Sequence, residues 1–311
     1  MTLPRRVSVA DIGGSHITAA VVELAGSEAT VVASAGRDTD PHGSADDILQ
    51  AWAGACRTAA AKAGLPSRAP WGIAMPDPFD FERGTGTFDD VGKFEHLSGV
   101  DIRGELAARL GAQPSTVRFV HDAAAYGIGE WMFGAASGHD RAVCITLGTG
   151  VGSSFLDHGV PVHHRDDVPA NGTVHLLEIA GMPLEESVST RALVASYSAR
   201  ASETITVKAM AERARGGEAM AMEVLETAFF ALGAALGPWL DAFEASVLVA
   251  GGSMSRSWDL LDTPFRAGVA EARPEVAEKI EITPSTLLDD APLLGVAGWL
   301  GAGCRTARPG V

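Results

Sequence analysis

The sequence predicts an α/β fold built as two related domains facing a common cleft, and three observations carry that prediction. Apolar strands alternate with helical stretches along the chain. A unit of strand, glycine turn and strand at residues 7–24 recurs in outline at residues 141–156. The composition, 311 residues with 46% hydrophobic, 20% charged and 6% aromatic, is that of an ordinary globular chain long enough for one large domain or two modest ones.

In chain order, Val7 to Ile12 reads as a strand, Gly13-Gly14-Ser15 as a tight turn and Ile17 to Leu24 as a second strand. This is a hairpin, and so not the strand-to-helix opening of a dinucleotide-binding fold. Asp46 to Ala63 has helical spacing with Ser44 as its cap, and Pro70 to Met75 is a short strand ending at Pro76-Asp77-Pro78. Residues 80–100, rich in Gly, Asp and aromatics, suit an exposed functional loop. Ile102 to Leu110 returns to helix, Val117 to Val120 is a strand and Ala123 to Phe133 a helix. Arg141 to Leu147 is a strand that runs into Gly148-Thr149-Gly150-Val151-Gly152, with strand character resuming from Val151 to Leu156. Val207 to Leu240 is mostly helical, Ser246 to Ala250 a buried strand, Gly251-Gly252 a turn, and Leu293 to Gly301 a helix of small residues.

Charge and cysteine usage exclude several classes. Subtracting 39 Asp+Glu from 24 Lys+Arg leaves −15, which repels phosphate backbones and anionic lipid unless cations cluster. Arg5-Arg6 is the only adjacent basic pair, and the lysines are Lys62, Lys93, Lys208 and Lys279, so neither nucleic acid nor a membrane surface is expected as a partner. Cys56, Cys144 and Cys304 are widely spaced, which argues against a disulfide scaffold and a cysteine zinc site. The apolar stretch Val7 to Ala10 is too short for a signal peptide. The most apolar window, Ala228 to Leu240, is shorter than a bilayer span and contains Gly233, Gly237 and Pro238. A cytoplasmic protein is the expectation.

The chemistry concentrates in short motifs. A glycine turn with a flanking hydroxyl offers several N–H groups to one anion, because backbone without Cβ atoms can fold closely around a phosphate. Gly13-Gly14-Ser15 is one such turn, and a hairpin alone would also account for its glycines. Asp11 shifts that balance, since a carboxylate at a strand end beside a phosphate turn is well placed to hold hydrated Mg2+. The stretch from Leu147 to Ser153 is the second candidate turn and reads equally as a plain hairpin turn. In His121-Asp122-Ala123-Ala124-Ala125, Asp122 stands where a strand hands over to a helix; an N-cap is the ordinary use of Asp there, and a general base is the functional one. Gly251-Gly252 serves either as a mere turn or as one over which a planar base packs.

Taken in order, Asp11-Ile12-Gly13-Gly14-Ser15, Gly72-Ile73-Ala74-Met75-Pro76, His121-Asp122-Ala123-Ala124-Ala125, Leu147-Gly148-Thr149-Gly150-Val151-Gly152 and Ala250-Gly251-Gly252 resemble the ROK family of sugar kinases and related repressors, within the actin-like ATPase superfamily. The resemblance spans nearly the whole chain. It implies a two-domain, ribonuclease H-like fold with ATP and sugar in the interdomain cleft, and phosphoryl transfer to a hexose 6-hydroxyl. By that resemblance Asp122 is the catalytic base, Asp11 positions Mg2+ through water, Gly13, Gly14, Ser15, Thr149 and Gly150 contact phosphates, and Gly251 and Gly252 lie by the nucleoside. It further implies a smaller domain at 1–120 completed by a helix at 291–311, a larger domain at 121–290, and a homodimer.

The chain also departs from the family pattern. Gly172-Thr173-Val174-His175-Leu176-Leu177 keeps the His of the family's Glu-x-Gly-His segment but lacks its Glu and the zinc cysteines that follow, so no zinc site is expected; His175 is either a structural histidine or, as the resemblance on either side favours, a sugar contact. By the same resemblance Glu185 is the better spaced of Glu185 and Glu186 for a further sugar-binding carboxylate, with a surface charge pair the equal alternative. His16 stands for the usual Lys, and His121, next to the base and counted among the sugar contacts, for the usual Asn. In the loop from Phe88 to Phe94, Asp90, or else Asp89, takes the place of a sugar-binding Asn. A carboxylate only accepts hydrogen bonds and prefers a cation, which points to an amino sugar, against the commoner case of a solvated pair of loop acids. Kanosamine, 3-amino-3-deoxyglucose, is favoured over glucose. The rivals are a glucokinase using ATP or polyphosphate, and a sugar-sensing repressor; against the repressor, the Asp11 motif begins too early to leave room for a helix-turn-helix.

Overall fold

The computed structural model describes residues 4–302 and separates into two compact units, residues 4–133 with 290–302 and residues 134–289. Cys304 and the part of the last helix expected beyond residue 302 lie outside the described residues. In the first unit, β1 (Arg5–Ile12) and β2 (His16–Ala25) form the expected hairpin, with Ile12 opposite Ile17. β3 (Glu28–Asp38) extends it antiparallel along β2. Its residues alternate between exposed and half-buried up to Ser34, and Ala35 is its one buried residue. α1 (Ala45–Lys62) begins where Ser44 Oγ accepts the Asp47 N–H and buries Ile48, Leu49, Trp52, Cys56 and Ala59 along one face. The chain then enters β4 (Trp71–Met75), parallel to β1 and buried at every residue, as a strand covered on both faces must be. A small hairpin of β5 (Phe79–Asp80) and β6 (Thr85–Gly86) leads to α2 (Ile102–Leu110), to β7 (Val117–His121) parallel to β4, and to α3 (Asp122–Phe133). The sheet order is β3-β2-β1-β4-β7.

The second unit repeats this plan. β8 (Arg141–Leu147) and β9 (Val151–Asp157) are an antiparallel hairpin around the second glycine turn, and β10 (Val160–Val162) extends it. The short hairpin of β11 (Glu178–Ile179) and β12 (Met182–Pro183) precedes α4 (Glu185–Val188), α5 (Thr190–Ala201), α6 (Val207–Arg215) and α7 (Ala219–Ala242). β13 (Val247–Gly251), α8 (Trp258–Ala272), α9 (Pro274–Ala277) and β14 (Glu281–Pro284) complete it, and both parallel strands follow β8 in the order β10-β9-β8-β13-β14. Strand for strand this is the first sheet again.

The helical stretch expected over 207–240 is thus two helices. Gly217, at φ +91°, breaks it in a conformation that favours glycine. α7 runs 24 residues, well beyond the apolar window seen in the sequence, and is long and apolar enough to cross a membrane by length and composition alone. Its Val224, Leu225, Phe229, Leu232, Leu236 and Leu240 are instead part of the second unit's core.

α10 (Ala291–Gly301) returns to the first unit and packs on β4 and α3. A Cβ on Gly295 would meet the Ala125 carbonyl oxygen at 1.8 Å, and one on Gly129 the Ala291 carbonyl oxygen at 2.1 Å, so the two backbones touch. This seam carries α3 into the first unit. The compact units divide after Phe133, whereas the smaller domain that the resemblance implies covers residues 1–120. α7 and α8 make the equivalent seam in the second unit, where Gly233 abuts the Phe265 carbonyl and Gly268 that of Phe230.

Candidate active site

The carboxyl ends of β1, β4 and β7 gather the candidate residues of the first unit, the end of a parallel sheet at which α/β folds place ligands. Asp11, opposite Thr18 on β2 and Ala74 on β4, is half-buried as a residue. Desolvation of its carboxyl, and then the negative charge of Asp122, push its pKa up to about 7. Gly13-Gly14-Ser15 follows at once, closed by the Gly13 N–H donating to the His16 carbonyl at 2.9 Å. Neither glycine lies in the left-handed region, which removes the conformational reason for glycine that a hairpin would supply. Packing supplies none at Gly14, and at Gly13 only the His16 side chain would have to give. A Cβ on Gly14 would find only Lys93 Cδ, at 3.9 Å, and one on Gly13 only the His16 ring, at 3.0 Å. The turn is a cradle that side chains at 13 and 14 would fill, as a phosphate site requires.

Asp122 opens α3. Its Oδ1 accepts the Ala123 N–H at 2.6 Å, a bond to the very next residue and not to N2 or N3 as an ordinary cap makes. The His121 Nε2 lies 3.3 Å from the same Oδ1 and 3.2 Å from Asp77 Oδ2, while its ring meets Phe81 edge-on at 6.1 Å. Asp77 stands just after β4, whose Met75 pairs with His121.

The loop carrying Asp89 and Asp90 is tied down at both ends. Phe88 and Phe94 are fully buried with rings 5.8 Å apart, Phe94 packs edge-on against Trp52 at 5.3 Å, and its N–H donates to the Pro41 carbonyl at 2.8 Å. Between these anchors Asp89 and Asp90 are exposed, with no ion pair among the described residues, and Asp90 adopts φ +61°. The same loop brings Lys93 beside Gly14. Lys93 is the residue that sequence reasoning passed over: it was the one lysine inside a motif already singled out, on a chain with few cations.

In the second unit Thr149 is exposed at the β8–β9 turn, and the Gly148 carbonyl receives both the backbone N–H and the hydroxyl of Thr190 at 2.8 Å. Glu185 reaches into this turn. Its Oε2 accepts the Val151 N–H at 3.0 Å and lies 2.9 Å from where a Gly150 Cβ would stand. Glu186, by contrast, pairs with Arg191 at 2.5 Å on the surface. His175 joins Glu185 through backbone, the Glu185 N–H donating to its carbonyl at 3.4 Å. Gly252 has φ +78°, and a Cβ there would strike Leu147 backbone at 2.4 Å, so the fold itself demands this glycine. Gly251 is buried as the last residue of β13. Just beyond, a cavity of about 360 Å³ is lined by Leu225, Phe229, Met254, Leu261, Arg215 and Arg256, apolar surface with a few charged groups, as ligand pockets are.

Among the described residues no group of three or more His, Cys, Asp and Glu comes together to hold a metal ion. Mg2+ does not need one: it keeps several waters and takes one or two carboxylates plus substrate phosphates. Asp11, crowded by the charge of Asp122 beside an open glycine turn, fits that donor set.

The model of the ROK family matches residues 7–166 and 180–302 of this chain. A glucokinase from Thermotoga maritima is 27% identical over 312 residues, covering 92% of this chain and 94% of its own. Among solved structures, a ROK family glucokinase from Streptomyces griseus in complex with glucose and AMPPNP superposes with a TM-score of 0.74 at 24% identity, over 94% of this chain and 98% of that one. A ROK family transcriptional regulator, a homologue of the E. coli MLC protein, reaches 0.76 at 20% identity over 94% of this chain and 76% of its own. Enzyme and regulator share the actin-like fold, so what this chain does must be argued from its site.

Proposed function

The chain belongs to the ROK family, and from that premise we propose that it is an ATP-dependent sugar kinase that transfers the γ-phosphoryl group to the 6-hydroxyl of a hexose or amino-hexose, with Asp122 as general base. The observation that carries this reading is the pairing of Asp122, one carboxylate oxygen open, with Asp11 and an unfilled glycine turn at one end of the first sheet. A regulator has no use for a base beside a phosphate cradle. The glucokinase relative, matched over nearly its full length, supports the same chemistry.

Asp122 accepts the proton of the attacking hydroxyl as that oxygen approaches phosphorus in line. Amides of Gly13, Gly14 and Ser15, and those of Thr149 and Gly150, offset phosphate charge, and Lys93 adds a cation at the first turn. Mg2+, held by Asp11 through water, supplies further charge neutralisation when bound. The cavity beyond Gly252 takes the nucleoside. Asp90, exposed and without an ion pair among the described residues, supports an ammonium-bearing sugar, for which kanosamine is the leading candidate.

The test is a coupled ADP-release assay with ATP and Mg2+ over glucose, glucosamine, N-acetylglucosamine, N-acetylmannosamine, mannose, fructose and kanosamine. A kcat/KM for an amino sugar well above that for glucose, narrowed by Asp90→Asn, supports the finer reading. Preference for glucose makes the protein a glucokinase and returns Asp90 to the solvated surface. ADP release with no sugar on the panel overturns the proposal.

A further inference from the structure

His121 makes contacts that binding a sugar does not explain. Its ring is largely enclosed, 18% exposed, and a single nitrogen, Nε2, faces carboxylate oxygens of both Asp77 and Asp122, at 3.2 and 3.3 Å. Two negative oxygens this close to one nitrogen disfavour a bare lone pair there and favour the tautomer that carries its hydrogen on Nε2. On Asp122 both neighbours, the imidazole and the Ala123 N–H, fall on Oδ1. Oδ2 has no partner among the described residues. The charged groups facing this trio are Asp77 after β4, Asp122 on α3, and Asp11 on β1, which adds negative charge beside Asp122. No arginine or lysine pairs with Asp77, Asp122 or Asp11 among the described residues, so His121 is the one basic side chain in contact with the base.

We propose that His121, anchored by Asp77, is a positioning residue that occupies Oδ1 of Asp122 and so presents Oδ2 to the sugar hydroxyl. The inference rests on Asp122 being the base. The hydroxyl proton passes to Oδ2 as its oxygen forms the new P–O bond, and the bond from phosphorus to the bridging oxygen of ADP breaks, ADP leaving with that electron pair. His121 keeps its own proton throughout, and Asp122 returns the acquired proton to water after products leave.

His121→Phe keeps the ring and its edge contact with Phe81 but removes the N–H, while His121→Gln restores an N–H at similar reach. The expected result for Phe is a fall in kcat on the order of 10- to 100-fold, below the full worth of a positioned base, with the sugar KM within about threefold of wild type; Gln should recover most of the loss. An unchanged kcat, a change in KM alone, or no recovery with Gln would each overturn the role. If His121→Phe does not fold, Asp77→Asn gives the same reading through the anchor, with kcat lowered and KM held. An imidazole nitrogen NMR spectrum of the wild-type protein tests the geometry without activity: Nε2 of His121 should be protonated at neutral pH, and an unprotonated Nε2 overturns the inference. Absence of any kinase activity in the wild type would count against the proposed function alone, since that spectrum stands apart from it.

Discussion

Asp11 and Asp122 carry the same functional group in different surroundings. Asp122 keeps an open oxygen, so Asp122→Asn should retain sugar binding by calorimetry while kcat falls by about 10²–10⁴. Turnover near wild type would remove Asp122 from the role of base. Asp11 carries the opposite problem, a desolvated carboxyl next to another carboxyl, with its pKa pushed up to about 7. A group whose folded pKa lies above its unfolded value binds its proton more tightly in the native state. The stability it lends is fully present below about pH 4 and is lost as pH rises through about 7. Without ligand, the melting temperature of wild type relative to Asp11→Asn should therefore fall between pH 5 and pH 8. A difference that stays flat would mean that Asp11 is not crowded in solution.

At the scale of elements, glycines divide into those the fold needs and those it does not. Gly295 allows α10 to touch α3 backbone to backbone, so Gly295→Val should separate the helices and cost about 3 kcal/mol, the upper end of ordinary overpacking, seen as a clear drop in melting temperature. Gly14→Ala adds a methyl to open space without conformational strain and should leave melting unchanged while raising the KM for ATP. A melting loss at Gly14 would make the turn structural. Periodicity read these elements well where a helix or strand had one clear apolar face: α1 with its Ser44 cap, β8, and the hairpin of β1 and β2 lie where the pattern put them. It missed β3, a half-exposed edge strand, and α8, which carries Pro264 inside the helix. Within the site, Asp122, Asp11 and the two turns were legible because strand ends and glycines mark themselves. The partnership of His121 with Asp77 was not, since β4 and β7 are adjacent only through sheet register, and Lys93 reaches Gly14 only because Phe88 and Phe94 anchor its loop.

For the molecule as a whole, two sheets of one strand order, each opened by a hairpin around a glycine turn, account for the repeated motif that the sequence displays. The repeat gives each unit its own turn rich in N–H groups, and it brings few cations with it. The net charge of −15 then bears on the phosphoryl donor. ATP with Mg2+ presents a short, partly neutralised anion that amide groups can grip, whereas a long polyphosphate extends past the turns and meets the field of the whole chain. Raising the salt concentration screens that field, because the Debye length falls from about 10 Å at 0.1 M toward 3 Å at 1 M. With long-chain polyphosphate as donor, kcat/KM should therefore lie below the value for ATP and rise as salt increases from about 0.05 to 0.3 M. A binding track of converging arginines would give the reverse slope, since phosphate contacts made by cations weaken as salt is added. Measuring sugar phosphate formation with both donors across that salt range decides between the two, and a falling slope with polyphosphate would show that local arginines outweigh the net charge.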